Sequence, residues 1–236
     1  MNHTASPKSD FFRGMKDCTP LLVGLLPWAL ILGVQGGQKG MSWLEMTLMT
    51  GMNFAGGSEF AAVNLWEHPL PVLLIASVTF MINSRHIVMG AAIAPYMRHL
   101  PMKKALPALF MMCDESWALA FAEIRRREAA GLPAFNLPYY AGACAVMYVT
   151  WIGFAAVGAA LGPVFGDVAA WGFGMAFPAV FLVLLRGMWK GFAAAIPWLV
   201  SLTVAAAVFH FTRSAWYVPA GALAGLATAY WRGEAK

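Results

Sequence analysis

Charge is what this sequence most lacks. Only 11% of its 236 residues are Asp, Glu, Lys or Arg, where soluble domains carry about 25%. So few charges cannot cover a water-facing surface, which excludes an ordinary soluble domain. Cysteine is scarce as well. Cys18, Cys113 and Cys144 stand far apart, without a CxxC pair or a Cys/His ligand spacing, so neither a disulfide framework nor a zinc site is expected. No GxxxxGK[ST] phosphate loop and no HExxH helix occurs, so ATP-driven work and zinc-peptidase chemistry are excluded, and no metal or cofactor is expected. The formal net charge of +5 includes one dense basic cluster, Arg125-Arg126-Arg127, set between Glu123 and Glu128. That pattern does not indicate a nucleic-acid partner. The first 17 residues are polar, and no short apolar stretch with a small-residue cleavage site follows, so the first apolar stretch reads as a membrane span.

What the chain does have is apolar length. Hydrophobic residues make up 60% of it, and about 20 in a row span a bilayer core. Eight stretches qualify: residues 19–36, 42–66, 70–97, 105–122, 139–162, 168–185, 191–211 and 214–231. The expectation is an all-α integral membrane protein, a polytopic bundle of about seven or eight transmembrane helices. Residues 1–17 form a cytoplasmic N-terminal segment and 18–232 a single transport domain. With eight spans and both termini inside, ten Lys and Arg fall inside and five outside, Arg98, Lys103 and Lys104 among the five. That bias has the direction of the positive-inside rule. The second stretch reads as a continuous span broken at Gly56-Gly57, with Ser58 and Glu59 facing a polar cavity; the alternative is a re-entrant hairpin at those glycines, which would flip everything downstream and put Arg125–Arg127 outside. Phe54-Ala55 with Phe60-Ala61 also resembles Phe173 with Ala176-Phe177-Pro178-Ala179, a faint internal repeat.

Three polar motifs interrupt the apolar stretches: Asn53-Phe54-Ala55-Gly56-Gly57-Ser58-Glu59-Phe60, Asn83-Ser84-Arg85-His86, and Cys113-Asp114-Glu115. A charge at a helix centre costs roughly 2.5–3.5 kcal/mol on insertion scales, and intramembrane ionisable groups mark pathways and binding sites. Paired glycines allow the helix to unwind or a neighbour to approach. A broken helix offers N–H groups and carbonyls to the two charged ends of a zwitterion. Asn53, Gly56, Gly57, Ser58, Glu59 and Asn83 are therefore the candidate substrate contacts. Arg85, His86, Asp114 and Glu115 are the candidate charge network, Arg85 pairing with one of the two carboxylates and a remaining group exchanging a proton. Two other readings compete: a channel-like or scaffold subunit whose partner holds the substrate, and an intramembrane hydrolase using Ser58, His86 and Asp114. The second lacks the nucleophile-elbow glycine two places after Ser58.

The ordered set of motifs resembles the AzlC/YgaZ-type branched-chain amino acid exporters. The resemblance runs over residues 11–125: Phe11, Gly14, Pro20, Gly24 and Pro27, then the three motifs in order. It implies a multi-pass protein of the bacterial inner membrane exporting valine, leucine or isoleucine. It also implies a small AzlD/YgaH-type membrane subunit as partner. The chain departs from the family pattern at Glu59, where Gln is common, and at Cys113, where Thr is common.

Overall fold

A computed structural model of the chain describes residues 6–162, 164, 186, 191–213 and 216–234. Among them every regular element is a helix. The sixth apolar stretch, 168–185, lies outside the described residues, and with it the second member of the internal repeat. The chain divides into two compact units: Met1–Glu59 with Asn83–Gly166, and Phe60–Ile82 with Asp167–Lys236.

In the first unit, α1 (Pro7–Gln38) starts where Ser6 caps the Ser9 N–H and Pro7 takes the first helical turn, a position where its missing N–H is not needed. The chain turns at Gly40, φ +85°. Then α2 (Trp43–Asn53) opens with a capping box, Ser42 and Glu45 exchanging hydrogen bonds. It ends at Phe54, whose backbone is left-handed (φ 45°, ψ 47°), and α3 (Gly56–Asn64) starts two residues later. The expected break is present, but it lies at Phe54-Ala55. The glycines open the following helix instead of unwinding. A Cβ on Gly56 would press into the Trp151 indole, so its small size makes room for that ring.

α4 (Val72–Asn83) and α5 (Arg85–Met97) follow, separated only by Ser84. Next come α6 (Met102–Phe110), α7 (Asp114–Ala129) and α8 (Leu137–Leu161). α1 and α8 run parallel along their whole length: Gly14 lies against Tyr139, Gly33 against Ala155, Gly37 against Ala159. At Gly14, Gly33, Gly142 and Gly158 an added Cβ would collide with a backbone carbonyl of the facing helix. Lipid supplies no hydrophobic drive between helices, so such close backbone packing holds them together.

The fourth apolar stretch is not the single span expected of residues 105–122. α6 has nine residues, about 13 Å at 1.5 Å each, too short to cross a bilayer core of about 30 Å. The chain then breaks at residues 111–113, and α7 returns. Cys113 touches Met147, midway along α8, while Glu123 reaches Arg13 and Arg127 reaches the Pro133 carbonyl, at the ends where α1 and α8 begin. α5 runs the same way as α7, with Arg85 beside Asp114, the Met89 carbonyl beside Trp117, and Tyr96 beside Phe121. The pair α6–α7 is thus re-entrant. Lys8, Arg13, Lys16, Arg98, Lys103, Lys104 and Arg125–Arg127 gather at one end of this unit, and Lys39 stands at the other. This corrects the expectation that Arg98, Lys103 and Lys104 lie opposite Arg125–Arg127. Hydropathy measures how apolar a stretch is and does not register a reversal of direction.

In the second unit, α9 (Phe192–Thr212) and α10 (Tyr217–Glu234) form an antiparallel hairpin, with Gly221 against Ala205 and Gly225 against Ser201 and Pro197. α9 ends at Arg213, whose left-handed backbone (φ 50°) sends its N–H to the Phe209 carbonyl. Across both units, four described helices are long and apolar enough to cross a membrane: Pro7–Gln38, Val72–Met97, Leu137–Leu161 and Phe192–Thr212. Leu73, Phe80, Val88, Val149 and Phe211 are each at least 70% exposed. Apolar surface on that scale suits lipid and not water.

Candidate functional site

The polar motifs meet in the first unit where helices break halfway along α8. The break after α2 is held from inside. Glu59 is fully buried, one carboxylate oxygen accepting the Ala55 N–H at 2.9 Å and the other the Trp151 indole N–H at 2.7 Å. Ser58, also fully buried, donates to the Ala55 carbonyl at 2.9 Å. A backbone that leaves its helix inside a membrane must find new partners for its N–H and C=O groups; Glu59 supplies the one for the Ala55 N–H, while the Ala55 carbonyl takes the Ser58 and Glu59 N–H groups and the Ser58 hydroxyl besides. Glu59 and Ser58 therefore face inward to the break and not a cavity. Tyr148 donates to the Gly51 carbonyl one turn before the break, at 2.6 Å, and stacks edge-on to Phe54.

From Ser58 a directed chain of hydrogen bonds runs outward. The Asn83 amide donates to Asn53 Oδ1 at 2.8 Å, and the Asn53 amide donates to Ser58 Oγ at 2.8 Å. Every donor points toward the break, so the chain leaves an acceptor at its head. Asn83 Oδ1 is buried and has no hydrogen-bond partner among the described residues. His86 Nδ1, in the first turn of α5, lies 3.2 Å from the Asn83 carbonyl at the end of α4.

The second break builds the other half. Cys113 caps α7, its N–H donating to Ser116 Oγ at 2.9 Å while Ser116 Oγ donates to the Cys113 carbonyl at 3.1 Å. Ser116 plays there the part that Ser58 plays after α2, three residues past the cap in both cases. Asp114, the next residue, takes a 2.6 Å hydrogen bond from Arg85 Nη1. Arg85 Nε is buried with no acceptor among the described residues. The expected ion pair between the third and fourth stretches is present, made by Asp114 and not Glu115. Ser58, His86 and Asp114 each engage other partners, so they form no nucleophilic relay.

The structure thus joins Asn53, Ser58 and Asn83 in one chain and Arg85 with Asp114 in a pair, with Gly56 and Glu59 behind them. It also adds residues that the motifs do not contain. Trp151 and Tyr148 lie in a stretch without charge, and Ser116 follows the acidic pair. A single indole N–H in a membrane helix without charge was the available signal for Trp151, because a buried indole donor requires an acceptor.

A second charged cluster sits at the basic end. Glu123, 5% exposed, takes hydrogen bonds from Arg13 at 2.7 and 3.0 Å and from Arg126 at 2.7 and 2.9 Å. Burial by itself raises its pKa, but the Arg126 and Arg13 guanidiniums outweigh burial and hold the carboxyl at about 2. Arg13 also pairs with Asp10 and lies 4.4 Å from the Tyr139 ring centre. This cluster ties α1, α7 and the start of α8 together.

A family model described as AzlC protein matches residues 20–165, more than half of the chain and all of both breaks. The branched-chain amino acid transport protein AzlC of Bacillus subtilis (strain 168) is 26% identical over 197 residues, 80% of this chain and 73% of that protein. An uncharacterized membrane protein of Archaeoglobus fulgidus is 28% identical over 236 residues, 98% of this chain and all of its own length. The inner membrane protein YgaZ of Escherichia coli (strain K12) is 24% identical over 123 residues, about half of each chain. No solved structure matches the chain.

Proposed function

The chain belongs to the AzlC family, and from that premise we propose that it is the large subunit of a secondary transporter exporting valine, leucine, isoleucine or related neutral amino acids. The observation that carries the reading is the convergence of two mid-membrane helix breaks on the Asn83–Asn53–Ser58 chain and the Arg85–Asp114 pair. Polar groups at such depth are costly, and broken helices around them are the arrangement transporters use for small charged ligands. A relative of this chain bears the name branched-chain amino acid transport protein.

In this reading Asn53 and Asn83 contact the substrate. Gly56, Gly57, Ser58 and Glu59 keep the break open, and Arg85, His86, Asp114 and Glu115 balance charge and carry a coupling proton. The end bearing Arg13, Lys103 and Arg125–Arg127 faces the cytoplasm, following the positive-inside rule, in the inner membrane of a bacterium. A small AzlD-type membrane subunit completes the transporter. The test is efflux of radiolabelled leucine from proteoliposomes holding both subunits, with a proton gradient imposed or collapsed by an ionophore. Concentrative efflux that disappears with the gradient is the expected result. Efflux unaffected by the ionophore rules out proton coupling, and no efflux of any branched-chain amino acid overturns the function.

A further inference from the structure

Four buried side-chain polar atoms of the first unit lack a partner among the described residues, Gln35 Oε1, Asn83 Oδ1, Arg85 Nε and Asn136 Nδ2, and the middle two, only two residues apart at the breaks, are opposites. Asn83 Oδ1 is an acceptor without a donor, and Arg85 Nε is a donor without an acceptor. Buried polar groups in folded proteins are almost always paired, and in lipid no water stands by to replace a partner. One missing donor and one missing acceptor, two residues apart on adjoining helices, match the ammonium and carboxylate of an α-amino acid.

The Arg85–Asp114 pair has the form of a contact that opens. A guanidinium and a carboxylate frequently make a two-pronged pair; here a single prong, Nη1 to Oδ2, is used. The side chains of Arg85 and Asp114 remain 37% and 44% exposed, whereas the Glu123 carboxylate at the basic end is buried. Asp114 is thus an acceptor held at the edge of the guanidinium, leaving Nε to another oxygen.

Resting on the amino acid transporter reading, we infer that Arg85 is the receptor for the substrate carboxylate, with Asn83 Oδ1 receiving the ammonium. Asp114 occupies the guanidinium in the substrate-free protein and is displaced by the substrate. The carboxylate of Asp114 stands where the carboxylate of the amino acid binds, so occupation by one excludes the other. Arg85 is thereby a binding residue and not a structural strut.

The full chain together with its small membrane subunit in lipid nanodiscs, titrated with L-leucine, L-leucinamide and 4-methylpentanoate by calorimetry, tests this. Leucinamide lacks the carboxylate and 4-methylpentanoate lacks the ammonium, so each is expected to bind at least about tenfold more weakly than leucine, the loss of one charge-assisted hydrogen bond. Asp114→Asn, which removes the competing carboxylate, is expected to bind leucine several-fold more tightly. Arg85→Gln combined with Asp114→Asn leaves no charge stranded, so its melting midpoint should stay near the wild type while leucine binding falls at least about tenfold. A double variant that binds leucine like the wild type makes the pair a strut and overturns the inference. So does weaker binding by Asp114→Asn, which decides the matter alone if the double variant does not fold. These outcomes leave the transport reading intact. A wild-type chain that binds none of leucine, valine and isoleucine overturns both together.

Discussion

Glu59 shows how one side chain makes a broken helix tolerable in lipid. Its two oxygens accept the Ala55 N–H and the Trp151 indole N–H, and nothing else in the described structure offers either donor a partner. Replacing it with Gln keeps the shape but turns one acceptor into a donor, so one N–H loses its bond. An unmade buried hydrogen bond costs about 1–3 kcal/mol. Glu59→Gln should therefore lower the melting midpoint of the purified chain modestly, and Glu59→Ala should lower it further by stranding both donors and leaving a void. Equal midpoints for all three proteins would remove Glu59 from this role. Glu123 makes the opposite kind of case, a carboxylate whose charge is wanted. Held at about 2, against 4.5 for an ordinary glutamate, it contributes stability that is fully present above about pH 4.5 and is lost as the pH falls toward 2. Melting curves should then show Glu123→Gln well below the wild type near neutral pH, with the gap closing steadily on acidification. A gap independent of pH would mean that packing, and not the arginine bonds, is what the substitution removes.

The α1–α8 seam rests on backbone approach, so it is sensitive to a single methyl group. On α1, a Cβ at Gly33 meets the Ala155 carbonyl while one at Gly24 meets nothing; on α8, Gly158 and Gly153 form the same contrast. Overpacking costs typically about 1–3 kcal/mol, whereas Gly→Ala on a free helix face gains up to about 1 kcal/mol. Gly33→Ala and Gly158→Ala should cut the yield of folded protein in the membrane, and Gly24→Ala and Gly153→Ala should hold or raise it. Size-exclusion profiles of the four variants distinguish the outcomes, and a uniform response would count against the seam. The same contrast explains what could be read from the residues alone. The long apolar helices, the three motifs and the Arg85–carboxylate pair were legible, because hydropathy and the cost of a lone intramembrane charge are properties of composition. The position of the first break was not, because Phe54 adopts a left-handed backbone that only the surrounding contacts of Gly51, Tyr148 and Glu59 make tolerable. Of the two uses that paired glycines allow, unwinding or a close neighbour, Gly56 serves the second, and its neighbour Trp151 lies 95 positions later in the sequence.

Direction was the property least visible beforehand, and it decides how charge is distributed over the protein. A span at residues 105–122 sets Lys103 and Arg125 on opposite sides of the membrane. The re-entrant pair α6–α7 sets them on the same side, with Lys39 opposite. In the first unit nine Lys and Arg stand at one end against Lys39 at the other, with Arg85 between them at the breaks, a nearly complete basic bias. Since Lys and Arg near the membrane set orientation, a stronger bias means a more firmly fixed insertion, which a two-break fold with few full crossings needs. Lys39→Cys, Lys103→Cys and Arg125→Cys, each placed in a variant lacking Cys18, Cys113 and Cys144, report the arrangement. A membrane-impermeant maleimide applied to intact cells should label the cysteine at 39 alone. Inverted vesicles should expose those at 103 and 125 together. Labelling of 103 and 125 from opposite sides would restore the single span and take with it the re-entrant break that brings Asp114 to Arg85.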